Sequence, residues 1–307
     1  MKTRTILVSG LINIETTLRV DGFPIDYQPV RFPFFGVDST VSGVGYNVAK
    51  ALTTLGDDVR FAALVGRGTA GARVYGTLAE DSIVDEFVLG QLRHTPESVI
   101  LYDPDGKRMI NTDLKDIQES VYPPPVFERA LRQCSLAVIG NVNFARPFLR
   151  SAKARDVIIA TDVHTINDLD DEYNRDFMAA ADILFMSDER LPCAPEEWAR
   201  AVQQQYGNEI IAVGLGDEGV LLAVKEDDFF QRIPTVSTRP VANTIGAGDA
   251  LFSAFVHGYH KTGDPYEAMR KAIVFTSYKI GEKGAAAGFL DEAGLEWLYG
   301  EMATRRS

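Results

Sequence analysis

Short apolar runs recur along the chain: TILV (5–8), FAALV (61–65), LAVIG (136–140), VIIA (157–160), ILFM (183–186) and IIAV (210–213). Most are rich in Val and Ile, and they do not alternate with polar residues. A strand apolar on both sides needs cover on both faces. Stretches with helical spacing lie between these runs, at Val48–Leu55, Ala72–Glu80, Phe144–Ala154 and Pro195–Tyr206. Strands and helices in alternation predict an α/β fold with a mostly parallel sheet between helical layers. The C-terminal third reads as helix at Ala247–Lys261, Pro265–Lys283 and Asp291–Met302.

Two stretches break the rhythm. Residues 14–42 lack a helical period and carry Pro24, Pro29 and Pro33 among scattered aromatics. Residues 98–113 read as strand, Asp-Gly turn, strand. Both suit a small β lid beside the main sheet, with VYPPPVF (121–127) marking the return to it. No repeat, low-complexity tract or linker divides the chain, so residues 1–307 read as a single domain.

The net charge of −12 repels nucleic acid and anionic membranes, so neither is expected as a partner. Cys134 and Cys193 form no C-x-x-C or disulfide framework, which fits a reducing cytoplasm. The apolar run after Met1 is too short for a secretory segment and reads as a buried strand. No stretch approaches the ~18 to 20 apolar residues of a membrane span.

G-x-G-x-x-G occurs at Gly66–Gly71 and at Gly214–Gly219. The first follows a strand, opens a helix and has Asp85 and Glu86 downstream, which imitates a dinucleotide fingerprint and raises a dehydrogenase as one reading. A lone match is weak, and this one belongs to the second strand–helix unit. The second match runs into another strand, GVLLAV, and so reads as a tight hairpin turn that either approaches a phosphate or is a plain turn. The Walker A pattern is absent.

The stretch NTIGAGDALFSAF (243–255) sets Gly246, Ala247 and Gly248 before Asp249 and a helical run. Small residues at a helix start leave N–H groups open to an anion. An acid beside such a site repels the anion unless it has another task, such as accepting a proton from an attacking hydroxyl. The alternative is an N-capping Asp after a flexible loop.

This stretch resembles the D-T-x-G-A-G-D signature of the PfkB, or ribokinase-like, carbohydrate kinases. GLINIE (10–15), SGVGYNVAKALTTLGDDVRFAALVGRGTAG (42–71) and IIAVGLGDEGVLLA (210–223) resemble further family segments in the same order. The resemblance implies a ribokinase-like three-layer sandwich with a β lid and ATP-dependent phosphorylation of a primary hydroxyl on a small sugar or nucleoside. It implies Asp249 as general base and the amides of Gly246, Ala247 and Gly248 as anion hole. Asn13, Glu15, Gly43, Asn47 and Asn143 would face the substrate. Ser187, Gly214, Gly216, Asp217 and Gly219 would line ATP. Mg²⁺ would come with the nucleotide, with Asp162 a candidate on its side, and the lid would pair two subunits.

The sequence departs from the family pattern in three places. Glu15 stands for the usual Asp. Asn243 replaces an Asp that often helps hold a monovalent cation, which leaves potassium dependence open. Ser187 and Arg190 occupy the N-x-x-E positions. A pseudouridine or nucleoside kinase, and a non-catalytic sugar sensor, are the alternatives. His257 and His260 share a helix face and read as solvated. His164 falls near the cleft, Tyr46 reads as either substrate or core packing, and Phe32, Phe34 and Phe35 read as lid packing.

Overall fold

The first run, β1 (Thr5–Ser9), is buried along its whole length, and its side chains split between two cores. Ile6 and Val8 face one helical layer, and Leu7 faces the other. This is the pattern expected of a strand apolar on both sides, and it repeats in Ile210 and Ile211. The structure is a computed structural model describing residues 5–304.

After β1 come β2 (Asn13–Arg19), β3 (Val37–Ser42), α1 (Val44–Thr54), β4 (Asp58–Gly66), α2 (Thr69–Glu80), β5 (Val88–Leu92), β6 (Glu97–Tyr102) and β7 (Arg108–Asp113). The chain continues through α3 (Pro124–Leu131), β8 (Cys134–Ile139), α4 (Arg146–Lys153), β9 (Ile158–Thr165), α5 (Arg175–Ala180), β10 (Ile183–Ser187), α6 (Pro195–Tyr206) and β11 (Ile210–Gly214). It ends with β12 (Val220–Val224), β13 (Phe229–Ile233), α7 (Ala247–Thr262), α8 (Pro265–Lys279) and α9 (Glu292–Thr304).

The main sheet has nine strands in the order β13-β12-β11-β10-β9-β8-β1-β4-β5. Pairing is parallel from β5 to β11, and the last two strands turn antiparallel. Residues of α1, α7 and α8 fill one face, and residues of α3, α4, α5 and α6 fill the other. A second sheet, β3-β2-β6-β7, pairs β2 with β3 and β6 with β7 antiparallel, while β2 and β6 run parallel. It leaves the main sheet only three residues after β1, so its root lies at the C-terminal end of that strand.

α8 stops at Lys279, four residues short of the expected end at Lys283. The Ile280 carbonyl instead accepts the amides of Ala242 and Asn243, which ties the turn after α8 to the loop before α7. No helix among the described residues is long and apolar enough to cross a membrane.

Candidate active site

Two close backbone approaches set the site. Gly43, the residue before α1, has φ +108°, and a Cβ there would lie 2.7 Å from the Leu11 carbonyl oxygen. A Cβ on Gly45 would lie 2.5 Å from the carbonyl carbon of Gly10. Only glycine lets the start of α1 press against the exit of β1. This contact places Asn47, in the first turn of α1, beside Asn13 and Glu15 at the root of β2. The pairing of Asn13 with Ser42 across β2 and β3 continues the same wall.

Asn47 donates its Nδ2 to Asp249 Oδ2 at 2.6 Å, across 202 residues of sequence. Asn47 Oδ1 in turn accepts from the Ser42 hydroxyl at 3.4 Å. The surface of Asp249 is partly open, yet burial around its carboxyl group pushes its pKa above the ordinary range. The Asn47 hydrogen bond, His164 and Lys279 oppose that rise, and Asp162 adds to it. Glu15 is also raised, first by burial, with Ser42 pulling it down and Asp249 adding to the rise.

Asn13 donates to the Ser98 hydroxyl of β6 at 3.0 Å. Its Oδ1, and Glu15 Oε1, are buried and accept no hydrogen bond among the described residues. Buried polar atoms of a folded protein are nearly always partnered, so these two unmatched acceptors on one wall make it a candidate for hydroxyl donors.

Gly246 has φ +74°, and a Cβ there would meet the Ala285 oxygen at 2.4 Å. Ala247 N–H turns back to the Thr244 oxygen at 3.2 Å. The amides of Gly246, Gly248 and Asp249 donate to no acceptor among the described residues, and a Cβ on Gly248 would meet nothing within 4 Å. They are the open donors of a helix N-terminus, on the same turn as the Asp249 carboxylate.

Sequence reasoning missed Lys279, which is wholly buried at the end of α8. Its ammonium donates to the Ile245 oxygen and, at 2.8 Å, to the Gly284 oxygen. Burial lowers its pKa to about 8, Asp249 and Glu15 pull it back up, and Arg108 depresses it further. Arg108, on β7 of the second sheet, reaches the Thr244 oxygen at 3.2 Å. A lysine closing a helix carries the ordinary signature of a charge complementing the helix dipole, so no pattern in the sequence singles it out.

Ser187 closes β10 and accepts the Glu189 amide at 3.3 Å. Gly214, Gly216, Asp217 and Gly219 form the hairpin between β11 and β12, closed by Leu215 N–H to the Gly219 oxygen at 2.9 Å, with Gly216 and Asp217 exposed. Asp162 Oδ1 accepts the His164 amide at 2.8 Å, and His164 holds φ +59° at the end of β9. Asn143 is tied down elsewhere: its amide nitrogens bond Gln118, and its Oδ1 accepts from Arg146 at 3.3 Å.

Tyr46 takes one of its two sequence readings, and other residues depart from theirs. Tyr46 is buried and donates to Asp81 at 2.5 Å, a core role. His257 is buried and paired with Asp57 at 2.8 Å, so it is not solvated. Phe32, Phe34 and Phe35 are exposed on the loop between β2 and β3, which folds on itself through Gly36 N–H to the Pro33 oxygen; they do not pack the lid. The dinucleotide-like glycines are packing residues, since a Cβ on Gly66 would lie 2.2 Å from the Thr95 nitrogen and one on Gly71 would lie 2.0 Å from the Gly66 oxygen.

Known proteins share this architecture. The solved structure of a microbiome-derived acarbose kinase, Mak1, superposes with a TM-score of 0.86 at 25% identity, covering 98% of this chain and 100% of that one. The ribokinase of Giardia lamblia superposes with a TM-score of 0.81 at 18% identity, covering 99% and 100%. The fold is therefore a ribokinase fold, as the resemblance implied. An ATP-dependent ribose-1-phosphate kinase of Halopiger xanaduensis is 26% identical over 284 residues, 91% of this chain and 93% of its own. Residues 3–292 match the family model described as pfkB family carbohydrate kinase. The chain belongs to that family and is a carbohydrate kinase, a phosphotransferase.

Proposed function

We propose that this kinase transfers the γ-phosphoryl group of ATP to a primary hydroxyl of a small sugar or nucleoside. One observation carries the reading: the Asp249 carboxylate, aimed by Asn47 at 2.6 Å, shares a helix turn with amides that have no acceptor among the described residues. Asp249 takes the proton of the acceptor hydroxyl as its oxygen attacks the γ-phosphorus. The bond from that phosphorus to the β,γ-bridging oxygen breaks, and ADP leaves with the bond pair. The amides of Gly246 and Gly248 receive the charge on the transferring group, and Ala247 adds the N–H it shares with Thr244. The raised pKa of Asp249 makes it a stronger base than an ordinary aspartate.

Asn13 and Glu15 offer their orphan oxygens to acceptor hydroxyls, with Asn47 beside them, and Gly43 lets that wall close. Asn143 is left a supporting role behind Gln118 and Arg146. The nucleotide lies along Ser187 and the 214–219 hairpin. Among the described residues no three His, Cys, Asp or Glu side chains gather to hold a metal unaided. That suits Mg²⁺ brought in on the triphosphate: Asp162 would hold it, and the ion would neutralise phosphate charge. The second sheet serves as the lid, and the exposed Val99 and Met109, which share one of its faces, belong to the apolar surface through which two copies pair, which sedimentation equilibrium would read as a dimer.

A coupled ADP-release assay against a panel of sugars and nucleosides tests the reading. ADP release with one of them, lost by about 10²–10⁴ in Asp249→Asn, is the expected result. Turnover within about tenfold of wild type in that variant removes Asp249 as the base.

A further inference from the structure

Lys279 has no part in the reaction as written above, yet a wholly buried ammonium needs a reason. Taking such a charge out of water costs several kcal/mol unless its protons are matched, and a structural role is more cheaply filled by an apolar side chain. Two of its three N–H donors are matched by carbonyls on two separate loops: Ile245, at the entrance to α7, and Gly284, in the turn after α8. Three further contacts seam those loops together. Ala242 and Asn243 donate to the Ile280 oxygen at 2.8 and 3.2 Å, and Gly246 presses on Ala285. The ammonium is the charge at the centre of that seam.

Its pull has a direction. In a trans peptide the C=O and the following N–H point opposite ways. An Ile245 oxygen drawn towards Lys279 therefore turns the Gly246 N–H away from it, and Gly246 donates to no acceptor among the described residues. Resting on the reading of residues 246–248 as an anion hole, we infer that Lys279 is a positioning residue, an internal cation that aims the Gly246 amide at the transferring phosphoryl group and makes the kinase independent of potassium.

The family signature that residues 243–255 resemble has, at position 243, an acid implied to help hold a monovalent ion. Asn243, which stands for the acid that often helps bind that ion, spends its Oδ1 on the Ile245 amide at 3.1 Å. The Ile245 and Gly284 oxygens are already taken by the ammonium. The residues present do not fit a potassium site there.

The test begins with the wild-type enzyme, assayed with potassium and sodium replaced by tetramethylammonium. The expected kcat is unchanged, and activation by potassium of about tenfold or more would overturn the inference. Next, Lys279→Met keeps the length of the stem and removes the charge. Expected is a fall in kcat of about 10²-fold, the cost of losing one oxyanion-hole donor, with acceptor KM little altered and circular dichroism unchanged. In Lys279→Ala, added ethylammonium should restore kcat where ethanol does not. A Lys279→Met variant that folds and keeps wild-type kcat would defeat the inference, as would rescue by both additives alike. If Asp249→Asn is inactive while Lys279→Met is not impaired, this inference alone fails; if Asp249→Asn is active, the underlying reading fails with it.

Discussion

Replacing Asn47 with leucine removes the side-chain donor, at 2.6 Å, that holds the Asp249 carboxylate. That hydrogen bond favours the charged form and opposes the rise that burial imposes. A hydrogen bond to a charged group is worth about 1.5–3 kcal/mol, and 1.36 kcal/mol moves a pKa by about one unit. The acid limb of kcat against pH should therefore move up by about 1–2 pH units in Asn47→Leu. The sign follows from the role: a base works only when deprotonated, so any change that favours its proton moves the onset of activity to higher pH. The assay is ADP release at saturating acceptor across the acid range, because Asn47 also lies on the proposed acceptor wall and KM is expected to rise. Stability gives a second reading. The bond stabilises the carboxylate form, so its contribution is present above the Asp249 titration and fades as pH falls through it, and the gap in unfolding free energy between wild type and variant should narrow there. An acid limb that stays in place while kcat falls at every pH would refute the assignment of Asp249 as the titrating base.

Gly246→Ala should cost at least about 1–2 kcal/mol in urea unfolding, from the left-handed backbone alone. It should also abolish turnover, because a Cβ there would meet the Ala285 oxygen at 2.4 Å and displace the amide. A variant with wild-type kcat would separate that amide from catalysis. Lys279 gives a pH effect of opposite sign in stability and activity. Its pKa is about 8 in the fold against an ordinary 10.5, so between those values the unfolded chain holds the extra proton. Relative to Lys279→Met, wild type should gain up to about 3 kcal/mol of stability as pH rises through that window, while its kcat declines as the ammonium that holds Ile245 is lost. A flat stability difference across the window would contradict the buried charge.

The layers of this fold were legible because their strands are apolar on both faces, as TILV and IIAV are, and that pattern admits few architectures. β5, VLGQL, escaped because a glycine and a glutamine break its run, and β13, FFQRI, because it is an edge strand with polar residues outward. The end of α8 was misplaced by four residues since its apolar spacing continues into Ile280, and what stops the helix is the remote loop at Ala242 and Asn243. For the candidate site, the sequence is informative where one short stretch carries several chemical groups together, as residues 246–249 do. It was not legible where the chemistry depends on which distant carbonyls a side chain meets: Lys279 in a sequence is one more cation at a helix end, and Asn143 one more amide in a loop. Asn47 lies between these cases. The resemblance of its segment to the family's implied a place facing the substrate, but its bond to Asp249 crosses 202 residues and exists only in the fold.

A crystal structure of the kinase with ADP, aluminium fluoride, magnesium and an acceptor identified by the ADP-release panel tests the central claim most directly. The account predicts the fluoride on the amides of Gly246 and Gly248, and the acceptor hydroxyl about 2.6–3.2 Å from an Asp249 oxygen. A bound acceptor whose hydroxyl meets a different side chain, with Asp249 turned aside, would contradict it.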